Sequence, residues 1–395
     1  MSDLPTALGA WLEPRLERYI EELRQLCAIE CPTNHKPGVD EAGLWVQRWA
    51  TARGWELAHF PDPQAGDGLV ATVCGTGELR AMLVAHLDTV YPLGVAAERP
   101  MRREGGQLLA PGSADNKSGL LSGLYAAAAL AELAPSSFAT LSVVCGGDEE
   151  TDSRASGAML RALAPQYDLA LVLEAGRENG DIVSARKGNG LFSFDVQGRA
   201  AHAGVEPEKG ASAVLALARQ IVALQALNGR WPGVTVNVGV IGGGSVPNAV
   251  PDRAWAKVDV RVVRPEDMAP VEAAIRAIAT EGLVPGTSTT VGDGWAFAPM
   301  ARTPAILRLA ELAKACAQAL GFTIGDAATG GVSYANLLAG AGLPVLDGLG
   351  PVGGEDHSPR EYVDPASIVP RTALLALLVA RAGSYVATVG GGQAA

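Results

Sequence analysis

Three apolar runs in this chain end in groups that could bind a metal. Arg80–Ala85 stops at His86-Leu87-Asp88, Thr140–Cys145 leads to Asp148-Glu149-Glu150, and Leu169–Leu173 stops at Glu174. Two more candidates sit in glycine-containing loops: Asp115 in Gly112-Ser113-Ala114-Asp115-Asn116-Lys117, and His357 in Gly353-Gly354-Glu355-Asp356-His357-Ser358. Neutral imidazoles and carboxylates suit zinc, and cobalt or manganese less selectively. The set His86, Asp115, Glu150, Glu174 and His357 exceeds the three protein ligands usual for one catalytic zinc. Two zinc ions about 3.5–4 Å apart, sharing a carboxylate, would use all of them. Taken singly, each has a plainer use: an Asp ahead of a helix is often an N-cap, and a Glu-Glu pair often faces solvent. Capping does not explain their joint arrival at one sheet edge. Glu149 and Glu150 point in different directions, so one can bind metal while the other faces a water. Two cations bring the pKa of a shared water towards neutrality, and the acid that does not bind metal could accept its proton and hand it to a leaving group. The chemistry this spacing points to is metal-assisted hydrolysis.

The surrounding elements must deliver those groups. Near-continuous apolar strands between helices imply an α/β fold, a mixed sheet flanked by helices on both faces. In such open sheets ligands bind beyond the carboxyl ends of the strands. Helices are expected at 11–30, 40–53 and Lys117–Leu133. The texture changes near residue 190: Leu191–Val196 alternates apolar and polar residues, a helix follows at 210–227, then strands Val234–Ile241 and Arg253–Val263 and helix Pro265–Ala279. After about residue 303 the first texture resumes, with helix Ala305–Leu320, strand Val345–Gly348 and helix Ala366–Ala382. The expected organisation is one α/β domain from 1–189 and 301–395, with an α+β domain inserted at 190–300. The tail 390–395 carries no packing pattern and is expected to be disordered.

Bulk composition narrows the partners. The net charge of −11 leaves no basic stripe for phosphates, so no nucleic-acid partner is expected. The five cysteines are scattered and form no C-x-x-C, which fits a reducing, cytoplasmic setting better than a disulfide framework. No signal peptide and no membrane span are read from the pattern. His35 and His59 fall in loop-like polar surroundings.

At these residues the chain resembles the M20 family of metallopeptidases, and within it the carboxypeptidase G2-like (glutamate carboxypeptidase) group. The matching stretches are Ala85-His86-Leu87-Asp88-Thr89-Val90, Ala114-Asp115-Asn116-Lys117-Ser118-Gly119, Asp148-Glu149-Glu150, Leu173-Glu174, Gly198-Arg199-Ala200-Ala201-His202-Ala203-Gly204 and Asp356-His357-Ser358. The resemblance implies a zinc-exopeptidase-like catalytic domain, with the inserted unit as a lid or dimerisation domain that makes a homodimer. It implies one zinc on His86, Asp115 and Glu174, and another on Asp115, Glu150 and His357. Asp88 would bind the far nitrogen of His86, Glu149 would be the general base, and His202 would stabilise the oxyanion in a neighbouring subunit's site. Asn248 and Arg261 would bind the backbone and carboxylate of a small peptide or N-acyl amino acid, close to the backbone at Gly331.

Several positions depart from the glutamate-releasing pattern. Asp181 falls where a base is expected, and Gly292–Met300 contains no base, the nearest being Arg302. Trp295 and Phe297 could form an apolar wall or belong to a core. In Thr329–Asn336, Val332 replaces a usual Gly and Tyr334 a usual Asp. A neutral or apolar leaving group is therefore expected. An aminoacylase or deacetylase on the same fold is the alternative. More distant are a serine hydrolase at Gly331-Val332-Ser333-Tyr334-Ala335 and a non-catalytic binding protein. The Gly242-Gly243-Gly244 run reads as a strand connection, not a phosphate loop.

Overall fold

The structure is a computed structural model describing residues 4–280 and 284–390. Of the tail expected to be disordered at 390–395, residues 391–395 lie outside the described residues, and Gly390 is the last residue of a helix. Ten strands matter here: β1 (Glu56–Phe60), β2 (Gly68–Cys74), β3 (Arg80–His86), β4 (Thr140–Gly146), β5 (Leu169–Val172), β6 (Gly188–Gln197), β7 (Thr235–Gly243), β8 (Arg253–Val262), β9 (Ser288–Phe297) and β10 (Val345–Leu346). The chain divides into two compact units. One comprises residues up to Ser184, Arg302–Ala328 and those from Ser333 onward; the other comprises Ala185–Ala301 and Thr329–Val332.

In the first unit six strands form a mixed sheet in the order β1-β2-β4-β3-β5-β10. β1, β2 and β4 pair antiparallel, whereas β4, β3, β5 and β10 run parallel. Residues 81–86 of β3 are buried throughout, as expected of a central strand covered on both faces. Because β3 lies between β4 and β5 and is parallel to both, the residues following all three strands emerge at one edge. His59 falls within β1, not in a loop.

Helix Ser118–Leu133 packs against this sheet and against helix Pro365–Gly390. Its residues from Ser118 to Leu130 are all buried, so its apolar content surrounds the helix instead of forming one stripe. Leu121, Leu124, Leu374 and Leu378 are fully buried, each worth about 1.5–3 kcal/mol relative to exposure. A methyl group on Gly119 would collide with the Leu173 carbonyl oxygen, so glycine lets this helix approach the end of β5. The stretch Pro365–Gly383 is apolar and long enough to cross a membrane, yet 72% of it is buried in the unit, so its hydropathy answers to packing.

The second unit is a four-stranded antiparallel sheet, β7-β8-β6-β9, with helices Ala213–Gln225 and Met268–Thr280. β8 alternates buried and accessible residues. Val258, Val260 and Val262 join Phe192, Phe194, Leu217 and Ile275 in its core, while Asp259 and Arg261 lie on the other face. β9 was not expected: Gly292, Asp293 and Gly294 interrupt its alternation, and its register shifts between Trp295 and Phe297.

Candidate metal centre

The three adjacent strand ends and two loops of the first unit bring the expected donors together. His86, at the end of β3, has a fully buried side chain. Its Nε2 lies 2.9 Å from Asp115 Oδ1 and 3.9 Å from Glu174 Oε2. His357 Nε2 lies 3.2 Å from the other Asp115 oxygen, Oδ2, and 3.3 Å from Glu150 Oε2. Asp115 thus presents one oxygen to each imidazole, and each imidazole has its own additional carboxylate. Donor atoms of His86, Asp115 and Glu150 lie within 4.8 Å of one another.

The backbone is shaped to hold these groups. Asp115 and Asn116 have non-helical dihedrals just ahead of helix Ser118–Leu133, and the peptide between them is cis. Glu355 and His357 take positive φ, 57° and 62°. For residues with a Cβ that conformation costs on the order of 1–3 kcal/mol and persists only where surrounding structure holds it.

Charge distribution reinforces the grouping. Asp115, Glu149, Glu150 and Glu174 gather around two imidazoles, a surplus of buried negative charge that calls for protons or cations. Burial opposes charge on His86, but its hydrogen bonds to Asp115 and Asp88 prevail and raise its pKa well above the usual value. Hydrogen bonds to Asp115 and Glu150 raise His357 to about 10. Burial would raise Asp115, yet the two imidazoles hold it below the usual carboxylate range. Burial pushes Glu149 well above that range; His86 opposes the shift and Glu174, Glu150 and Asp115 add to it. Nitrogen and oxygen donors that share protons this closely fit divalent cations, which would compete for the same lone pairs.

Asp88 stands beside the far nitrogen of His86, as expected, and makes further contacts that the expectation did not include. His86 Nδ1 lies 3.0 Å from Asp88's own carbonyl oxygen and 3.5 Å from its carboxylate. The carboxylate is 1% exposed and accepts from the backbone N–H groups of Glu149 and Glu150, both at 3.2 Å, and from Thr33 Oγ1 at 2.6 Å. Its main contacts are therefore with the Glu149–Glu150 backbone, because that segment turns back over it. Asp148 accepts from the N–H groups of Ala155 and Ser156 at the start of helix Arg154–Leu163. Sequence reading missed Thr33, and also Asn116, whose Nδ2 donates to Glu174 Oε2 at 3.0 Å. Thr33 meets Asp88 across 55 positions, a separation that leaves no local pattern.

His202, Asn248, Arg261 and Gly331 belong to the second unit. His202 pairs with Ala249 in a short antiparallel bridge, and the Asn248 carbonyl accepts from Ala203 N–H at 2.9 Å, so His202 and Asn248 are neighbours. Gly204 N–H donates to His202 Nδ1 at 3.1 Å, which places the proton of a neutral imidazole on Nε2. Arg261 holds Asp259 with two bonds, Nε at 2.9 Å and Nη2 at 3.0 Å, and its Nη1 reaches the Gly330 carbonyl at 3.4 Å. The Gly331 carbonyl accepts from buried Arg186 Nη1 at 3.1 Å, a contact the sequence reading did not foresee.

The departing positions are mostly structural. Asp181 accepts from Gly325 N–H at 2.5 Å and Asn179 Nδ2 at 2.9 Å, pinning two loops together. Tyr334 is fully buried, its ring edge-on to His86 at 6.5 Å, and its hydroxyl fills the space a side chain on Gly146 would need. It therefore packs behind the centre and does not stand at its rim. Phe297 is buried, and Trp295 stacks edge-on against Phe192 at 5.7 Å, so both serve the second unit's packing. Arg302 pairs with Asp326 at 2.8 Å. Ser333 caps helix Tyr334–Gly340 with extended backbone dihedrals and donates to Asp347 at 2.5 Å, which is a structural role and not a strained nucleophile elbow.

Residues 184–287 match the M20 peptidase dimerisation domain. Carboxypeptidase G2 from Pseudomonas sp. (strain RS-16) is 27% identical over 384 residues, covering 92% of this chain and 89% of its own length. Along most of its length the chain is thus similar to an M20-type carboxypeptidase. Acetylornithine deacetylase of Myxococcus xanthus is 31% identical over 209 residues, 49% of this chain and 53% of the deacetylase. Among solved structures, aminopeptidase PepT from Bacillus cereus ATCC 10987 shares the fold with a TM-score of 0.78 at 24% identity, covering 92% of this chain and 98% of that one. The chain is an enzyme similar to peptidases and amidohydrolases of the carboxypeptidase or deacetylase kind, with a peptidase dimerisation domain inserted in its catalytic domain.

Proposed function

We propose that this chain is an M20 metallopeptidase that cleaves the amide bond of an N-acyl amino acid or small peptide bearing a free carboxylate, using two zinc ions. The observation that carries this reading is Asp115 between two imidazoles, one oxygen to each, at 2.9 and 3.2 Å. His86, Asp115 and Glu174 would hold one ion, and Asp115, Glu150 and His357 the other. Bound there, the ions would acidify water towards neutrality and polarise the scissile carbonyl. Glu149, whose proton affinity burial raises, accepts the proton of the attacking water and delivers it to the leaving nitrogen. The Asp88 carboxylate holds the backbone of Glu149 and so aims its side chain. His202, with its proton on Nε2, is a donor suited to an oxyanion, supplied in trans in a homodimer formed through the second unit. Arg261, kept in one orientation by Asp259, suits the substrate carboxylate.

The leaving group is neutral or apolar in this reading, since no base stands in Gly292–Met300 and Arg302 is paired with Asp326. A deacetylase acting on an N-acyl amino acid would use the same centre and differ only in which side of the amide is recognised. The test is a screen of zinc-loaded protein on N-acyl-Leu, N-acyl-Phe and N-acyl-Glu with a chelator-treated control. Faster turnover of the apolar substrates and loss of activity on chelation are expected. A strong preference for the Glu substrate would overturn the specificity, and full activity without metal would overturn the mechanism.

A further inference from the structure

A second buried carboxylate stands behind the centre. Glu361 is 2% exposed and belongs to the loop that carries His357. Its Oε1 accepts from the backbone N–H groups of Ala114 at 2.8 Å and Asp115 at 3.0 Å. Its Oε2 accepts from Gly112 N–H at 2.8 Å and from the Tyr91 hydroxyl at 2.6 Å, and that hydroxyl also lies 2.9 Å from the Ser358 carbonyl. Strand pairing brings these groups together. Tyr362–Val363 pairs with Gly353–Gly354 on one side and with Gln107–Leu109 on the other. The strand leaving Glu361 therefore runs beside the strand that enters the Asp115 loop. On the far side of that loop, buried Lys117 donates from Nζ to the Ile29 carbonyl at 3.1 Å.

The need for such a group follows from the backbone. Asp115 and Asn116 depart from helical dihedrals, so regular structure does not supply acceptors for the N–H groups around them. Each buried N–H left without an acceptor costs about 1–3 kcal/mol. Glu361 takes three of them on one side chain, and it does so from the loop that presents the second imidazole.

We propose that Glu361 is the positioning residue of the metal centre. Its carboxylate holds the Asp115 loop so that the two Asp115 oxygens face His86 and His357, and it locks that loop to the His357 loop. This rests on Asp115 being the shared metal ligand. Glu361 touches neither the donor atoms nor the substrate; it acts through the Asp115 backbone.

Glu361→Gln tests it, because the amide keeps one acceptor and turns a donor towards Gly112 N–H or towards Ala114 and Asp115 N–H. Zinc affinity is read by competition with a chromophoric chelator. It is expected to fall about 10- to 100-fold, the range for residues that orient metal ligands. Turnover at limiting zinc falls in step, KM stays within about threefold, and excess zinc restores most of kcat. A folded variant with zinc affinity within twofold of wild type overturns the proposal, even if its melting temperature drops, since a purely structural role would give that pattern. If Glu361→Gln does not fold, Tyr91→Phe decides. Removing one donor should weaken zinc about two- to tenfold, the worth of one hydrogen bond, and an unchanged affinity overturns the proposal. Wild-type protein that binds no zinc would overturn the metal reading itself, which separates the two failures.

Discussion

Asp88→Asn isolates the contact that aims Glu149. The wild-type carboxylate is buried and spends one oxygen on Glu149 N–H, at 3.2 Å, and the other on Glu150 N–H, also at 3.2 Å, and Thr33 Oγ1. Asparagine has one acceptor oxygen, so in either orientation its amide N–H₂ confronts one of the two backbone donors. One hydrogen bond to a charged group is lost, worth about 1.5–3 kcal/mol. If that cost is expressed in the aim of Glu149, kcat/KM falls about 10- to 150-fold. His86 Nδ1 keeps its shorter contact, 3.0 Å to the Asp88 main-chain carbonyl, which the substitution does not remove. Zinc affinity should therefore change less than activity. The assay is steady-state kinetics on the best N-acyl amino acid at saturating zinc, paired with a zinc titration. Activity within threefold of wild type would refute the reasoning. A zinc affinity that falls further than activity would show that the Asp88 side chain works through His86 instead.

Two further outcomes are expected. Glu149→Gln should bind zinc as wild type does yet lose about 10²- to 10⁴-fold in kcat, the usual worth of a positioned general acid–base; near-normal turnover would remove Glu149 from that role. Burial pushes the Cys316 thiol up to about 11, with Arg381 pulling against it, so the folded state retains a proton that the unfolded chain releases above about pH 9. The stability this contributes is present below pH 9 and declines as pH rises towards 11, and urea midpoints between pH 8 and 11 should flatten in Cys316→Ala; an unchanged slope would count against it.

Much of the centre was legible in the chain because its donors sit at strand ends. A buried parallel strand is a largely apolar run, so the polar groups that end it stand out, as His86, the Asp148-Glu149-Glu150 acids and Glu174 do. Asp115 and His357 were visible for a related reason, each following glycines that break regular structure. The residues that hold these donors were not visible. Thr33 to Asp88 and Glu361 to the Asp115 loop are contacts between single polar side chains and distant backbone, with no period or spacing to betray them. Tyr334 was hard to read for the same reason: beside glycines and in place of a usual Asp it bore on the leaving group, while the Ser333 cap starts a helix there and the ring is buried.

The primary structure was sufficient for the donor types, their order and the alternation of elements that carries them, since these depend on local hydropathy and short-range geometry. Folding alone decided which Asp115 oxygen meets which imidazole, that the Asp88 carboxylate serves the Glu149–Glu150 backbone more than His86, and that one buried glutamate joins the two ligand loops. Those outcomes follow from the order of strands in the sheet. It sets β3 between β4 and β5 and lays Tyr362–Val363 beside Gln107–Leu109, pairings between segments far apart in the chain that no local pattern encodes.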